Sequence, residues 1–189
     1  MPGSVLYFDK LFEEQIKILK PKKILDVGVG AAKYGFISRY ALPDCEIHGV
    51  EPESYYLEKY RTEAIYNKIY NKSIQQFIRE DMNNQEKYDL VICGDVLEHM
   101  FLSEVHDVVD FFSYRCKWLL AQFPSNVPQF AVDGITWEVH RSNLQLSDFM
   151  KYHVLYYTST KEKGTHSTFH HYLILSMLFD FDKSFPTFV

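Results

Sequence analysis

The chain has 189 residues, of which 47% are apolar and 24% are charged, so a disordered or fibrous protein is excluded. The length predicts one domain. The net charge of −5 argues against a broad grip on nucleic acid or on an anionic membrane, because both need clustered positive charge.

The cysteines and the N-terminal residues bear on the compartment. Cys45, Cys93 and Cys116 have no CxxC spacing, which favours buried thiols over a disulfide framework or a zinc site. Acidic residues such as Asp9 and Glu13 come early, with no apolar signal-peptide core before them, and no apolar run has the length of a membrane span. We therefore expect a cytoplasmic protein.

Helical and strand-like patterns alternate along most of the chain. Apolar side chains at spacings of three and four predict a first helix over 4–20, which Pro21 ends. Further helices are predicted over the ranges 31–40, 55–64, 73–79 and 103–116. Short apolar runs predict strands over 23–27, 46–50, 68–71, 88–93 and 118–123. Such alternation is typical of a parallel sheet with helices on both faces.

The C-terminal part has a different pattern. Two strand patterns, over 152–158 and 171–179, are joined by the polar loop 159–168. This connection is too short for a helical crossover of about a dozen residues, so the two strands should be antiparallel. The sheet is thus expected to be mostly parallel, with one reversed strand near an edge.

Two motifs on the first two strands predict a nucleoside site. In ILDVGVGAAKYG, residues 24–35, Gly28 and Gly30 permit a tight turn and close approach of the backbone to a ligand. The dinucleotide fingerprint GxGxxG would need glycine in place of Lys33, so a nicotinamide cofactor is disfavoured. Glu51 ends the second strand 21 residues after Gly30, where a carboxylate can accept hydrogen bonds from both hydroxyls of a ribose.

A third motif, YDLVICGDVLEHM over 88–100, ends the fourth strand. Gly94, Asp95, Glu98 and His99 follow or end this strand. Because ligands of such sheets bind beyond the carboxyl ends of the strands, these residues should face the crevice.

Together the motifs resemble those of class I S-adenosylmethionine-dependent methyltransferases. DVGVG is similar to the family's DxGxG motif, although Ala32 stands where many members have a third glycine, and DVLEH is common after the family's fourth strand. The resemblance covers residues 4–179. It implies an α/β fold: a Rossmann-like doubly wound seven-stranded sheet, mostly parallel with an antiparallel C-terminal strand. It also implies S-adenosylmethionine as the cofactor.

The resemblance further implies which residues contact the cofactor. Gly28 and Gly30 would approach its methionine and ribose part, Glu51 would bind the ribose hydroxyls, and Asp26 would hold the amino group through water. The remaining implied contacts are with the adenine, from Pro52, Ser73 and Ile74, and with the methionine end, from Gly94 and Asp95. Ser73 replaces an Asp that is frequent in the family, and it is also a candidate N-cap of the fourth helix.

The segment 124–150 follows the fifth strand, where the family commonly covers its substrate. Its ExHRS run, Glu138 to Ser142, is similar to one in small methyltransferases, some of them associated with sugars. A hydroxyl acceptor benefits from a base that titrates near neutral pH, which makes His140 the first candidate and His99 the second. Glu138 would orient His140 or bind the substrate.

Aromatic residues make up 16% of the chain and divide into two groups. Phe130 and Trp137 flank the expected acceptor pocket and are candidates for an apolar surface against a sugar ring or another flat acceptor. Five phenylalanines fall on predicted core faces: Phe8, Phe12, Phe36, Phe77 and Phe112.

The prediction is therefore a single methyltransferase domain over 1–189 that methylates a hydroxyl of a small-molecule or carbohydrate acceptor. One alternative is a catalytically idle cofactor-binding module that acts through a protein partner. A nucleic-acid methyltransferase is a further alternative, disfavoured by the acidic charge and by the lack of an NPPY or DPPY motif. A metal site of Glu98, His99, Glu138 and His140 lacks tight ligand spacing, so no metal is predicted. The oligomeric state is left open.

Overall fold

Helices and strands alternate in the structure, a computed structural model that describes residues 6–81 and 86–175. The α-helices are α1 (Asp9–Leu19), α2 (Lys33–Ala41), α3 (Ser54–Tyr60), α4 (Ile74–Asp81) and α5 (Leu102–Ser113). The strands are β1 (Lys23–Val27), β2 (Glu46–Val50), β3 (Lys68–Tyr70), β4 (Tyr88–Gly94), β5 (Cys116–Ser125), β6 (His153–Lys161) and β7 (Thr168–Leu175). None of the helices described is long and apolar enough to cross a membrane.

All seven strands form one sheet, in the order β3-β2-β1-β4-β5-β7-β6. Strands β1 to β5 pair in parallel, and β7 runs antiparallel to both of its neighbours, β5 and β6. The predicted fold class is confirmed, including the reversed strand. The chain crosses from β3 to β4 on the other side of β1, so the sheet has its switch point between β1 and β4, where doubly wound folds bind their ligands.

The core lies on both faces of the sheet because the central strands are buried on both. Along β1, Leu25 and Val27 pack with apolar residues of α4 and α5, whereas Ile24 packs with those of α1 and α2. Each fully buried side chain of this size stabilises the fold by about 1.5–3 kcal/mol. The burial of the strands thus fixes the carboxyl ends of β1, β2 and β4 at one edge of the sheet.

Several predicted boundaries of helices and strands differ from those in the structure. The first helix begins at Asp9, and residues 4–5 lie outside the described part of the chain, as do residues 176–179 of the last predicted strand. The segment 124–150 contains two 3₁₀ turns, Thr136–Glu138 and Leu146–Phe149.

Four of the five predicted core phenylalanines are buried, but Phe36 is 63% exposed, so that prediction was wrong. Helix α2 begins at Lys33, two residues later than predicted, and it turns Tyr34, Gly35 and Ser38 toward the core.

Candidate cofactor and acceptor site

A cavity of about 720 Å³ opens at the carboxyl ends of β1, β2 and β4, and the segment 124–150 and β7 complete its walls. Its size is typical of a small-molecule site. Eleven of the twelve residues predicted for the site line it, namely Gly28, Gly30, Glu51, Pro52, Ser73, Ile74, Gly94, Asp95, His99, Glu138 and His140. The twelfth, Asp26, does not.

The glycine turn after β1 is tied to the end of β2. Gly28 has a φ of +80°, and a Cβ atom there would lie 2.6 Å from a methyl carbon of Val96, so only glycine fits without a shift. Its N–H donates to the carbonyl of Val50 at 2.9 Å, and the N–H of Gly30 donates to the carboxylate of Glu51 at 2.8 Å. These bonds hold the backbone of the turn against the cavity.

Glu51 is only 5% exposed, and hydrogen bonds hold its carboxylate in one orientation. Besides the bond from Gly30, its other carboxylate oxygen accepts a hydrogen bond from the N–H of Glu53 at 2.9 Å. Burial raises the pKa of Glu51, and the two N–H groups oppose that shift. A carboxylate accepts about four hydrogen bonds, so acceptor positions remain for two hydroxyls. The donor set therefore fits the ribose of a nucleoside cofactor.

The expected adenine side is built at the start of α4. The hydroxyl of Ser73 accepts a hydrogen bond from the N–H of Gln76 at 3.2 Å, which makes Ser73 an N-cap. Its hydroxyl hydrogen stays available as a donor. Ile74 is 4% exposed and lines the cavity beside Pro52, so it offers an apolar surface of the kind on which a ring packs.

At the end of β4, Asp95 is positioned by contacts with residues far away in the sequence. The hydroxyl of Tyr34 lies 2.9 Å from a carboxylate oxygen of Asp95 and 2.7 Å from the amide oxygen of Gln122. A Cβ atom on Gly94 would lie 2.1 Å from the ring of Tyr34, so this glycine makes room for the ring. Asp95 itself has a φ of +52°, a conformation that costs about 1–3 kcal/mol in a residue other than glycine.

Asp26 lies in the core, at 1% exposure, and not on the cavity surface. The hydroxyl of Tyr66 donates to its carboxylate at 2.5 Å, and the missing side chain of Gly35 makes space for that hydroxyl. Burial raises the pKa of Asp26 to about 7. Asp26 therefore has no direct place on the cavity surface, and its contact with the cofactor's amino group through water stays a prediction.

The two candidate histidines come together at the other end of the cavity. Their ring centroids are 4.8 Å apart, in an edge-to-face arrangement. The Nδ1 atom of His140 lies 2.6 Å from the carbonyl oxygen of Val127, which fixes the ring and leaves Nε2 as its free nitrogen. Burial, followed by the neighbouring imidazole of His140, lowers the pKa of His99 to about 4, so His99 is neutral at pH 7.

Glu138 is oriented by a residue far away in the sequence. Its carboxylate accepts a hydrogen bond from the hydroxyl of Tyr56 at 2.8 Å, and Gln129 donates to its backbone carbonyl at 2.7 Å. The orienting contact of His140 is with Val127, and not with Glu138. Sequence spacing contains no signal for the pairing of Tyr56 with Glu138, because 82 positions separate them.

The two aromatic residues proposed to flank the acceptor pocket differ. Trp137 lines the cavity and is 46% exposed, so part of its indole is free to contact a ligand. Phe130 is 85% exposed and is not among the residues that line the cavity, so its predicted role was wrong. Phe169 of β7 lines the cavity instead. Only the tertiary fold brings β7 to this edge.

Comparisons with known proteins bear on the family and on the fold of this chain. The family model described as "Methyltransferase domain" matches residues 25–120, just over half of the chain. No curated protein sequence matches. Magnesium protoporphyrin IX methyltransferase (ChlM) from Synechocystis, solved with bound SAM, is 15% identical, with a TM-score of 0.61 and coverage of 92% of this chain and 86% of that one. The N-terminal domain of EvdMO1 with SAH bound is 10% identical, with a TM-score of 0.62 and coverage of 92% and 82%.

Some neighbours are considerably longer. An O-methyltransferase family protein from Burkholderia thailandensis is 11% identical, with a TM-score of 0.60. The match covers 90% of this chain but only 56% of the Burkholderia chain. Likewise, the match to a structural neighbour from Nostoc punctiforme covers only 55% of that neighbour's chain. At such identities the likeness shows the fold, and the family match adds the class. The chain belongs to the class I S-adenosylmethionine-dependent methyltransferases, and S-adenosylmethionine is its cofactor.

Proposed function

We propose that the protein transfers the methyl group of S-adenosylmethionine to a hydroxyl of a small-molecule or carbohydrate acceptor. The observation that carries this proposal is one cavity that joins the glycine turn and Glu51 at one end to the imidazoles of His99 and His140 at the other. An O-methyltransferase family protein is among the structural neighbours, and the N-terminal domain of EvdMO1 has been solved in the presence of SAH and D-fucose. These relatives support an oxygen acceptor.

In this proposal the cofactor contacts follow the lining of the cavity. The backbone at Gly28 and Gly30 lies against the methionine and ribose part, and Glu51 accepts hydrogen bonds from the ribose hydroxyls. The remaining proposed contacts are Pro52, Ser73 and Ile74 at the adenine, and Gly94 and Asp95 at the methionine end. Asp26 takes no direct part, because it is buried against Tyr66.

The residues at the acceptor end promote loss of the hydroxyl's proton and orient the acceptor. When bound, S-adenosylmethionine supplies a sulfonium methyl, and its sulfur leaves as a neutral thioether. The bond to Val127 presents His140 with a free Nε2 lone pair, and His99 stands beside it as a neutral imidazole. Glu138, held by Tyr56, is placed to accept hydrogen bonds from acceptor hydroxyls.

The segment 124–150 is the proposed acceptor-side part of a single domain over 1–189. It contributes Trp137, Glu138 and His140 to the cavity, on and beside the 3₁₀ turn Thr136–Glu138. The partly exposed indole of Trp137 gives an apolar face on which a sugar ring or another flat acceptor can pack. Selection of the acceptor therefore resides in this segment.

The test is a methyl-transfer assay with the labelled cofactor and a panel of acceptors. The panel contains sugars, hydroxy acids and phenols, with amines and oligonucleotides as competing classes. We expect label to transfer to hydroxyl compounds. Transfer only to amines or to nucleic acid would refute the proposal. Tight binding of the demethylated cofactor with no transfer to any class would favour an idle cofactor-binding module instead.

A variant pair tests the acceptor end. The substitution His140→Ala should lower turnover strongly while the affinity for the demethylated cofactor, measured by calorimetry, stays near that of the wild type. His166→Ala is the matched control, because His166 is exposed and does not line the cavity. Equal turnover of the His140 variant and the wild type would remove His140 from the mechanism.

A further inference from the structure

Three potential metal ligands converge at the acceptor end of the cavity. They are Glu98 and His99, on the 3₁₀ turn after β4, and His140, on the segment after β5. One ligand atom from each lies within 4.8 Å of the other two. Ligands bound about 2.1 Å from one cation lie about 3.0–3.5 Å apart, so small rotations of these side chains would close the set.

Two of the three side chains have buried polar atoms that need a partner. Oε2 of Glu98 and Nδ1 of His99 have no hydrogen-bond partner among the described residues, and Glu98 is 1% exposed while lining the cavity. A buried polar atom without a partner is costly and rare in folded proteins. Such atoms, in residues that line a cavity, are accounted for if a bound ligand becomes their partner.

The charges around Glu98 call for a cation. Two further acidic residues, Asp95 and Glu138, line the same cavity as Glu98. Arg141 lines the same cavity, but its guanidinium is engaged over the ring of Phe101, 5.4 Å from the centroid. A divalent cation bound to Glu98 would compensate this accumulation of negative charge.

The surroundings orient His140 and tie together the two segments that carry the three ligands. The bond between Nδ1 of His140 and the carbonyl of Val127 is the contact by which a metal-binding histidine is usually oriented, with its other nitrogen left for the metal. The backbone carbonyl of Glu98 accepts hydrogen bonds from the N–H groups of Arg141 at 2.8 Å and Ser142 at 3.2 Å. The two ligand-bearing segments are therefore tied together directly beside the ligands.

We propose that Glu98, His99 and His140 bind one divalent transition-metal cation that coordinates the hydroxyl oxygen of the acceptor. Two imidazoles and one carboxylate favour Mn²⁺, Fe²⁺, Co²⁺ or Zn²⁺ over Mg²⁺, which prefers oxygen ligands. Three protein ligands leave coordination positions open for the acceptor and water. The spacing of the four candidate ligands in the sequence predicted no metal. The fold brings three of the four together and leaves Glu138 outside the set.

The chemical consequence rests on the proposed function. Coordination makes the acceptor's hydroxyl a stronger acid, so that it releases its proton to water. The oxygen then forms a bond to the methyl carbon, the bond between that carbon and sulfur breaks, and its electron pair stays on sulfur. The imidazoles of His99 and His140 promote loss of the proton by holding the cation, and not by accepting the proton themselves.

The first test is metal binding without turnover. Chelator-treated full-length protein is titrated with Co²⁺ and with Mn²⁺ by calorimetry, and the Co²⁺ complex is followed by its visible absorption. We expect one ion per chain. The substitutions Glu98→Gln and His140→Ala should each weaken binding at least about tenfold, whereas His166→Ala should not change it. Circular dichroism and binding of the demethylated cofactor show whether the variants fold.

The outcomes separate this site from the proposed function. No binding at millimolar Co²⁺ and Mn²⁺, or binding that both ligand variants leave unchanged, overturns the metal site. Methyl transfer to a hydroxyl that is insensitive to a chelator also overturns it, while the proposed function stands. Stoichiometric binding that depends on Glu98 and His140, without methylation of any hydroxyl acceptor, supports the metal site and refutes the proposed function. If Glu98→Gln does not fold, the partly exposed His140 alone decides the question.

Discussion

Removal of the negative charge of Glu51 should weaken cofactor binding more than it weakens the fold. The substitution Glu51→Gln keeps the length of the side chain and one oxygen, but its NH₂ group replaces an acceptor. In the structure both carboxylate oxygens accept backbone hydrogen bonds, from Gly30 at 2.8 Å and from Glu53 at 2.9 Å. The NH₂ group would therefore face one of these N–H donors, at a loss of about 1–2 kcal/mol of folding free energy.

The effect on binding follows from the hydroxyls that Glu51 is proposed to hold. A hydrogen bond to a charged acceptor contributes about 1.5–3 kcal/mol, and the amide retains part of that. We expect binding to weaken by about 1–3 kcal/mol, a rise in Kd of about 5- to 150-fold. The substitution Glu51→Ala removes both acceptors and should cost more stability, because the two backbone N–H groups lose their partners.

The assay is calorimetric titration with the demethylated cofactor at pH 7.5, after circular dichroism has shown that the variant folds. Glu53→Gln is the matched control, since it removes the same charge two residues away and Glu53 does not line the cavity. Its amide keeps an oxygen that can accept the hydrogen bond from Tyr55. If a folded Glu51→Gln variant bound the cofactor within twofold of the wild type, the assignment of the ribose site would be refuted.

Three further predictions concern other parts of the structure. Burial raises the pKa of Asp26 to about 7, so its carboxyl favours folding when protonated, and this contribution is lost as the pH rises from about 4 to 7. Over that range the free energy of unfolding of Asp26→Asn, measured in urea, should rise by about 1–4 kcal/mol relative to that of the wild type. A difference that does not change with pH would contradict this. Gly94→Ala places a methyl group 2.1 Å from the buried ring of Tyr34 and should lower the free energy of unfolding by about 1–3 kcal/mol or more. Gly164→Ala has no atom within 4 Å of the new methyl group and should lose only about 1 kcal/mol, from its φ of +85°; equal losses would count against the steric explanation. Trp137→Ala should raise KM for the acceptor while the affinity for the cofactor stays unchanged, and loss of both would contradict a role confined to the acceptor.

Local patterns were sufficient for the order of the elements and for the cofactor end of the site. Apolar strands and amphipathic helices report burial directly, so five parallel strands and a reversed strand could be predicted from residues close together in the chain. Gly28, Gly30 and Glu51 could be predicted for the same reason, because their geometry is set where a strand meets a turn. The exposed Phe36 shows the limit of this reasoning: α2 packs on the core through Tyr34, Gly35 and Ser38, and this leaves the ring of Phe36 in solvent.

The acceptor end depended on contacts between distant positions. Val127 orients His140, and Tyr56 orients Glu138 from 82 positions away; neither contact follows a local period. The same holds for Asp26, whose place in the motif pointed to the cofactor while Tyr66 and Gly35 enclose it in the core.

The sequence by itself determined a doubly wound fold and, through its resemblance to class I methyltransferases, the cofactor and eleven of the residues that line the cavity. Periodicity reveals the strands, and any such sheet brings their carboxyl ends to one edge. Tertiary structure alone decided that Phe130 stays outside the cavity and that Glu98, His99 and His140 meet there. The physical reason is that the backbone of Arg141 and Ser142 bonds to the carbonyl of Glu98, across a separation of more than forty positions that no local pattern records.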